Sequence, residues 1–459
     1  DDVFYKFNVE YNKHKNSEIS KTLDSLSDKK IFEVFVFYFL RRLVLINLDV
    51  EQTDVPMVFE VINDRGVKLK PYEILKGKLL GQIEKDELIT LNFNKIWDNQ
   101  IKLVNDYKDD EIDEFFTYFL KGKLSNTRGL AQKFDKDYHR VMFEDIYDKK
   151  LKLNHNPRGV KKFLLNDFVY FTKLYSKILN YYQNYHEKQP FVFYNKLTQM
   201  NTQFLLILSA CELNDRNEEE KIFKISRCLD RMFCLLQLQR SYNSNSFATD
   251  IYKLSAEIRN KPLDELDEIF NRFLLNQLSE ARGVEVDNEL NYSLFKDTGI
   301  GLDKRFKRYF FARIEKFIAI NTKMEMKQTF YNLVQNTGAV NGFHIEHILS
   351  YNDENKALFN DEEELFERER NRLGGLLILK GSDNISSNNE SFTKKLKSYA
   401  NTLYWNETLR QDTYKSKLDF TKMINQYNLK FKPYNQFGSV ELEERHKLLF
   451  DIVKIIWNK

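Results

Sequence analysis

The chain is poor in the residues that staple or break a fold. Only three cysteines, Cys211, Cys228 and Cys234, occur in 459 residues. They are too few and too scattered for a disulfide framework or a zinc site, and reduced, buried thiols suit a cytoplasmic protein. Six Pro and 15 Gly exclude a collagen-like or disordered chain and argue against an all-β one. No run reaches the ~18 apolar residues of a membrane span, and no N-terminal stretch has the charged-then-apolar pattern of a signal peptide. No internal repeat or low-complexity tail is evident.

What the chain has in quantity is aromatic and apolar side chains. Thirty-eight Phe, 25 Tyr and an apolar content of 42% are ample for sizeable cores. Phe, Tyr and Leu recur at helical spacing with Lys and Glu between them, so the chain reads as mainly α. A prior of about 150 residues per domain predicts about three units, placed here at 1–124, 125–320 and 321–459. The net charge of +3 divides unevenly. Residues 1–120 carry 17 Lys and Arg against 23 Asp and Glu, residues 121–320 carry 34 against 26, and residues 321–459 carry 20 against 19. The basic excess of the middle suits a phosphate backbone, and equally an ordinary solvated surface.

Taken in order, residues 1–40 predict two helices, with Phe32–Leu40 apolar enough for a buried one. Residues 43–50 read as a short strand and 55–62 as a helix. Pro71 suits the first turn of a helix over 72–83. Further helices are predicted over 91–123, with Trp97, Phe115 and Phe116 facing inward, and over 163–185, where Phe168, Phe171, Tyr175 and Tyr182 form a core stripe. Others follow at 191–213, 218–240, 249–260 and 263–278. The polar loop 240–246 is a candidate for phosphate or base contacts. The densest basic cluster, Lys304, Arg305, Lys307 and Arg308, opens a helix running to 320 and is the first choice for phosphate contact outside the C-terminal part.

The stretch 344–399 carries the chemistry. A short strand holds Glu346 and His347, and a second strand is predicted over 373–379. A turn rich in Gly, Asp, Asn and Ser follows, then an amphipathic helix over 391–399 with Ser391 as its N-cap. Neighbours on a strand point to opposite faces unless the strand ends there. At a strand end, Glu346 and His347 would share one site with the oxygen-rich loop 384–389. A hard cation takes carboxylate and amide oxygens plus waters, and a neutral imidazole beside it can take a proton from water.

These residues carry a resemblance. His344-Ile-Glu-His347-Ile-Leu, then Leu-Gly-Gly-Leu-Leu-Ile-Leu, Asn384, Asn389, Phe392 and Lys395, and later Glu444, Arg445 and Trp457, resemble the HNH (His-Me finger) nuclease domain of GmrSD-type modification-dependent restriction enzymes. Residues 58–80, VFEVINDRGVKLKPYEILKGKLL, resemble a segment of the ParB-like NTPase half of the same enzymes. Two departures stand out. Gly375 replaces the Asn that normally orients the catalytic histidine, and Ser350 replaces a Pro. The Asp-Gly-Gln-Gln-Arg signature of the NTPase half is absent.

The resemblance implies a helical protein with a C-terminal ββα-metal nuclease domain, acting as a DNA endonuclease in defence against bacteriophage. His347 would be the general base, oriented either by Asn371, four residues upstream of Gly375, or by a main-chain carbonyl. Glu346, Asn384, Asn389 and His344 would hold Mg²⁺ or Mn²⁺. Arg372, Lys394, Lys395, Lys304, Arg305 and Arg308 would meet DNA, and Asn63, Asp64 and Arg65 belong to the nucleotide-related motif. An NTPase half in the same or a partner chain is expected, and an oligomer fits. The alternative is a nucleic-acid-binding or regulatory subunit that keeps the fold but is impaired in cutting through loss of the Asn at 375.

Overall fold

In the computed structural model, residues 28–44, 69–386, 390–415 and 418–458 are described, those at 384–386 for backbone only. The chain divides into two units, Asp1–Val58 and Phe59–Lys459. In the first, helix α1 (Asp28–Arg42) contains the apolar run, but Phe32, Phe37, Tyr38 and Leu40 are exposed, against the expectation of a buried helix. Helical periodicity fixes the element and not the burial of its faces. The strand expected at 43–50 and the Asn63-Asp64-Arg65 turn lie largely or wholly outside the described residues.

The second unit is mainly helical. Its first helices are α2 (Pro71–Leu80), α3 (Phe93–Asn105) and α4 (Glu111–Leu124). Pro71 opens α2, where its missing N–H costs nothing. Trp97, Phe115 and Phe116 are buried as their spacing predicts; Trp97 and Phe116 stack on Phe168 at centroid distances of 4.8 and 5.6 Å, and Phe115 meets it tilted at 6.3 Å. Helix α5 (Pro157–Lys162) runs into a π-helix, Phe163–Phe168, and then α6 (Val169–Gln183). Phe168, Phe171 and Tyr175 on this run are core residues.

The predicted helix 191–213 is two helices, α7 (Pro190–Leu197) and α8 (Thr202–Ala210). The break falls where Gln199 adopts a left-handed conformation, φ 64°, which an L-residue in a continuing helix does not adopt. Helix α9 (Glu218–Leu238) is the central buried strut; α10 (Ser244–Glu257) packs on α8 and on α11 (Leu266–Arg282), while α9 itself packs against α7, α8 and α11. All three cysteines are free and buried. Among the described residues no helix is long and apolar enough to cross a membrane.

Helix α12 (Lys304–Asn321) opens with Asp303 capping the backbone N–H groups of Arg305 and Phe306 at 2.8 and 3.0 Å. It packs against strand β1 (Phe343–His347). After helix α13 (Glu363–Arg370) comes a single 3-10 turn, Leu373–Gly375, and strand β2 (Leu376–Lys380). The second strand is therefore shorter at its start than predicted. The two strands are antiparallel, with His347 opposite Leu376 and Glu346 opposite Leu377. Residues 381–386, expected as a turn, form a short helix. Helices α14 (Phe392–Ser398), α15 (Tyr404–Glu407) and α16 (Ser439–Ile456) follow.

The end of the chain is tied into the helical middle. Buried Asp230 on α9 accepts from the Tyr309 hydroxyl, from Arg313 Nη1 at 2.6 Å and from Trp457 Nε1 at 3.2 Å. Arg231 Nε donates to the Trp457 carbonyl at 3.0 Å. A buried charge pair is favourable only when further hydrogen bonds satisfy it, and here Asp230 also receives the Cys234 thiol at 3.6 Å, four donors in all.

Candidate active site around His347

Strand alternation decides which residues reach His347. Because β1 stays paired through His347, Glu346 and His347 point to opposite faces. His347 is half-buried on one side. Its Nε2 lies 3.0 Å from Asn371 Oδ1. The Asn371 amide orientation is set by its other end, since Nδ2 donates to the Glu367 carbonyl at 2.8 Å and to Glu367 Oε2 at 3.2 Å. Both of those are acceptors, so Oδ1 faces the ring, and a carboxamide oxygen accepts only from an N–H. Nε2 therefore carries the proton, and Nδ1 keeps its lone pair. Among the described residues Nδ1 has no hydrogen-bond partner.

The i to i+4 spacing of a helix end builds this arrangement. Glu367 sits on α13, Asn371 follows its last residue, and the turn lays one above the other. Arg370 holds the same corner, with Nη1 on Glu367 Oε1 at 2.9 Å and Nε on the Leu349 carbonyl at 3.3 Å. Burial pushes the His347 imidazole down to about 4, opposed by the Asn371 hydrogen bond and helped by the positive charges of Arg370 and Lys307. The imidazole is thus the free base at neutral pH. Glu367, Arg370 and Lys307 were not singled out from sequence as parts of this site. The acidic run at 361–367 reads as a solvated helix start, and only the pairing of Glu367 with Asn371 sets one of its members apart.

Glu346 does not join His347. Its carboxylate receives Lys395 Nζ at 2.5 Å, and the same ammonium donates to the His347 carbonyl at 2.8 Å. Both side chains are buried, at 7% and 1% exposure. Burial raises the Glu346 carboxyl and lowers the Lys395 ammonium, and each charge opposes the shift of the other. This corrects the sequence expectation twice: Glu346 faces an internal cation, and Lys395 is not an open phosphate contact. Alternation along a paired strand is the reason for the first, and the inward turn of α14 for the second.

Two further expected DNA contacts are internal. Arg372 is 2% exposed and donates to Glu369 at 2.9 Å and Glu443 at 2.6 Å. Arg308 is buried and donates to the Val334 carbonyl at 3.0 Å. Lys304 and Lys394 are exposed and Arg305 is half-buried. His344 Nε2 lies 3.3 Å from the Gly338 carbonyl. The side chain of Asn384 and the whole of Asn389 lie outside the described residues. Among the described residues, no three His, Cys, Asp or Glu side chains gather into a metal-holding group. With Glu346 taken by Lys395, the described donors do not fit a hard-cation shell.

The glycine pair fixes how α16 meets this site. A Cβ on Gly374 would fall 2.7 Å from the His446 backbone nitrogen, so only glycine allows the approach. The Gly374 N–H donates to His446 Nδ1 at 3.0 Å. Gly375, where an orienting Asn was expected, gives its carbonyl to the Ile348 N–H at 2.9 Å. The hydrogen bond to the histidine comes from Asn371 instead.

Residues 287–452 match the family model of the C-terminal domain of GmrSD restriction endonucleases. The matched range begins ahead of α12, so the basic helix falls inside it. No curated protein and no solved structure matched the chain. The C-terminal part is thus similar to the C-terminal domain of restriction endonucleases of this type.

Proposed function

We propose that the chain is a DNA phosphodiesterase of the restriction type, with His347 as general base. The observation that carries this reading is the Glu367–Asn371–His347 chain of hydrogen bonds, which holds the proton on Nε2 and leaves the Nδ1 lone pair free. Nδ1 takes a proton from water, the water oxygen attacks phosphorus, and the bond to the leaving oxygen breaks, that oxygen taking a proton from solvent as it departs. A base near 4 is weak in the free protein. The negative charge of an approaching phosphodiester raises it, because it offsets Arg370 and Lys307. Lys304, Arg305 and Lys394 are the accessible cations for the DNA backbone.

By the same resemblance, the activity serves defence against bacteriophage, with an NTPase half in this or a partner chain. Mg²⁺ or Mn²⁺ is the cation the resemblance implies. The described oxygen donors are not assembled for it, and the steps above use only protein groups. A second reading, a DNA-binding subunit impaired in cutting, is favoured by one observation: Glu346 is neutralised by Lys395. Nicking of supercoiled plasmid, with Mg²⁺ and with Mn²⁺, by the wild type and by His347→Ala separates the two. Nicking lost only in the variant supports the nuclease. Equal nicking by both, or none by either while DNA is bound, supports the second reading.

A further inference from the structure

Away from His347, the helical part of the larger unit carries a partly open pocket of about 900 Å³. Its rim is uneven in charge. Lys150, Lys152, Arg158 and Lys162 line it, with Lys123 deeper, against only Asp167 and Glu212. The four rim cations are exposed, and among the described residues none makes a close ion pair, Lys162 meeting the charge of Asp167 only at longer range. Their neighbour Lys161, outside the lining, is by contrast held by Glu87 at 2.8 Å.

Lys123 does not cancel this excess. Its ammonium rests on neutral oxygens, the Ser209 and Cys211 carbonyls at 3.2 and 2.6 Å and Asn260 Oδ1 at 3.0 Å, and 4.6 Å from the centre of the Phe171 ring. Burial lowers it to about 8. Like charges crowded in a concave site destabilise the empty fold and favour an anion.

The backbone around the cavity is unusual on two counts. Lys152 and His155 adopt left-handed conformations, φ 55° and 46°. A Cβ on Gly159 would sit 2.1 Å from the Lys152 carbonyl, so the loop is pressed onto α5. The wall then continues as the π-helix Phe163–Phe168. π-Helical turns are poor in stability and recur at functional sites.

We propose that this cavity binds a phosphate-dense anion of nucleotide size, with Lys150, Lys152, Arg158 and Lys162 meeting its phosphate oxygens. The volume lies in the range of small-ligand sites. A pocket of that volume holds a compact anion, whereas a duplex meets an extended basic face. Lysine and arginine supply point and forked donors for phosphate oxygens. The proposal does not rest on the nuclease reading, because its test needs no cleavage.

The test is calorimetric titration of the full chain, at near-physiological salt, with inorganic tripolyphosphate, with nucleoside triphosphates and with a short DNA duplex. One saturable site for tripolyphosphate is expected. Arg158→Glu/Lys162→Glu should weaken it roughly tenfold or more, a change of about 1.4 kcal/mol. Lys430→Glu, an exposed reversal outside the cavity, should leave it within about twofold. Both variants alter exposed side chains, and circular dichroism confirms their folding. Much tighter binding of one nucleoside triphosphate than of tripolyphosphate assigns a nucleotide as the ligand, and equal binding assigns the phosphate chain alone. No saturable binding of either, equal weakening by Lys430→Glu, or duplex binding alone lost in the double variant would overturn the proposal.

Discussion

The Asn371 amide oxygen accepts from His347 Nε2 at 3.0 Å, and Glu367 fixes the amide from behind at 3.2 Å. Asn371 therefore acts as a positioning residue for the imidazole. Asn371→Ala should lower the cleavage rate by about 10- to 100-fold, the usual cost of losing an orienting partner. DNA affinity should be unchanged. Single-turnover rates and a binding isotherm measured together check this, and a loss confined to affinity would contradict it.

Glu346 and Lys395 form a buried pair beneath the strand. Removing one member leaves the other charge uncompensated, at a cost of about 3–5 kcal/mol. Glu346→Gln and Lys395→Met should each destabilise strongly, and the double variant by clearly less than their sum. Denaturant unfolding of the four proteins measures this coupling. Additive effects would mean that the pair is not coupled.

Exposure separates the cations of α12. Lys304→Ala and Arg305→Ala should weaken DNA binding across sequences, and each should reduce the salt slope by about one. Arg308→Ala should instead lower the melting temperature, since it frees the Val334 carbonyl and empties a packed position. Salt-dependent binding isotherms and thermal melts divide the two behaviours. An unchanged melt and a reduced slope for Arg308→Ala would contradict the assignment.

His446 is fully buried, accepts from Gly374 N–H and is pushed down to about 3 by burial. The unfolded chain binds its proton near 6.5. As pH falls below 6.5 the unfolded state gains a proton that the folded state refuses, so stability falls from there toward about 3. His446→Gln should flatten that part of the stability curve, as read by urea unfolding between pH 4 and 7. The same slope in wild type and variant would place the effect elsewhere.

Much of this architecture is legible in the sequence because periodicity is local. The spacing of Trp97, Phe115 and Phe116, the Pro at 71, and the strand before His347 each follow from neighbours within a few residues. Asn371 was within reach for the same reason, four residues from Gly375 in a loop that must return to β2. What was not legible depends on long-range pairing. The partner of Glu346 lies 49 residues away on α14, and nothing near Glu346 marks Lys395 as internal. Arg372 and Arg308 read as surface cations until Glu369, Glu443 and the Val334 carbonyl are placed beside them. The split at Gln199 turns on one left-handed residue within an apolar run that reads as continuous.

The most direct measurement is the pH profile of kcat/KM for DNA cleavage, which reports the free protein, for the wild type and Asn371→Asp. The wild type should show an acidic limb well below the 6.5 of a free imidazole, toward the value of about 4 that burial imposes on His347. A carboxylate in place of the amide favours the imidazolium, so Asn371→Asp should move that limb upward. A limb near 6.5 in the wild type, or one that does not move in the variant, would contradict a buried imidazole base oriented by Asn371.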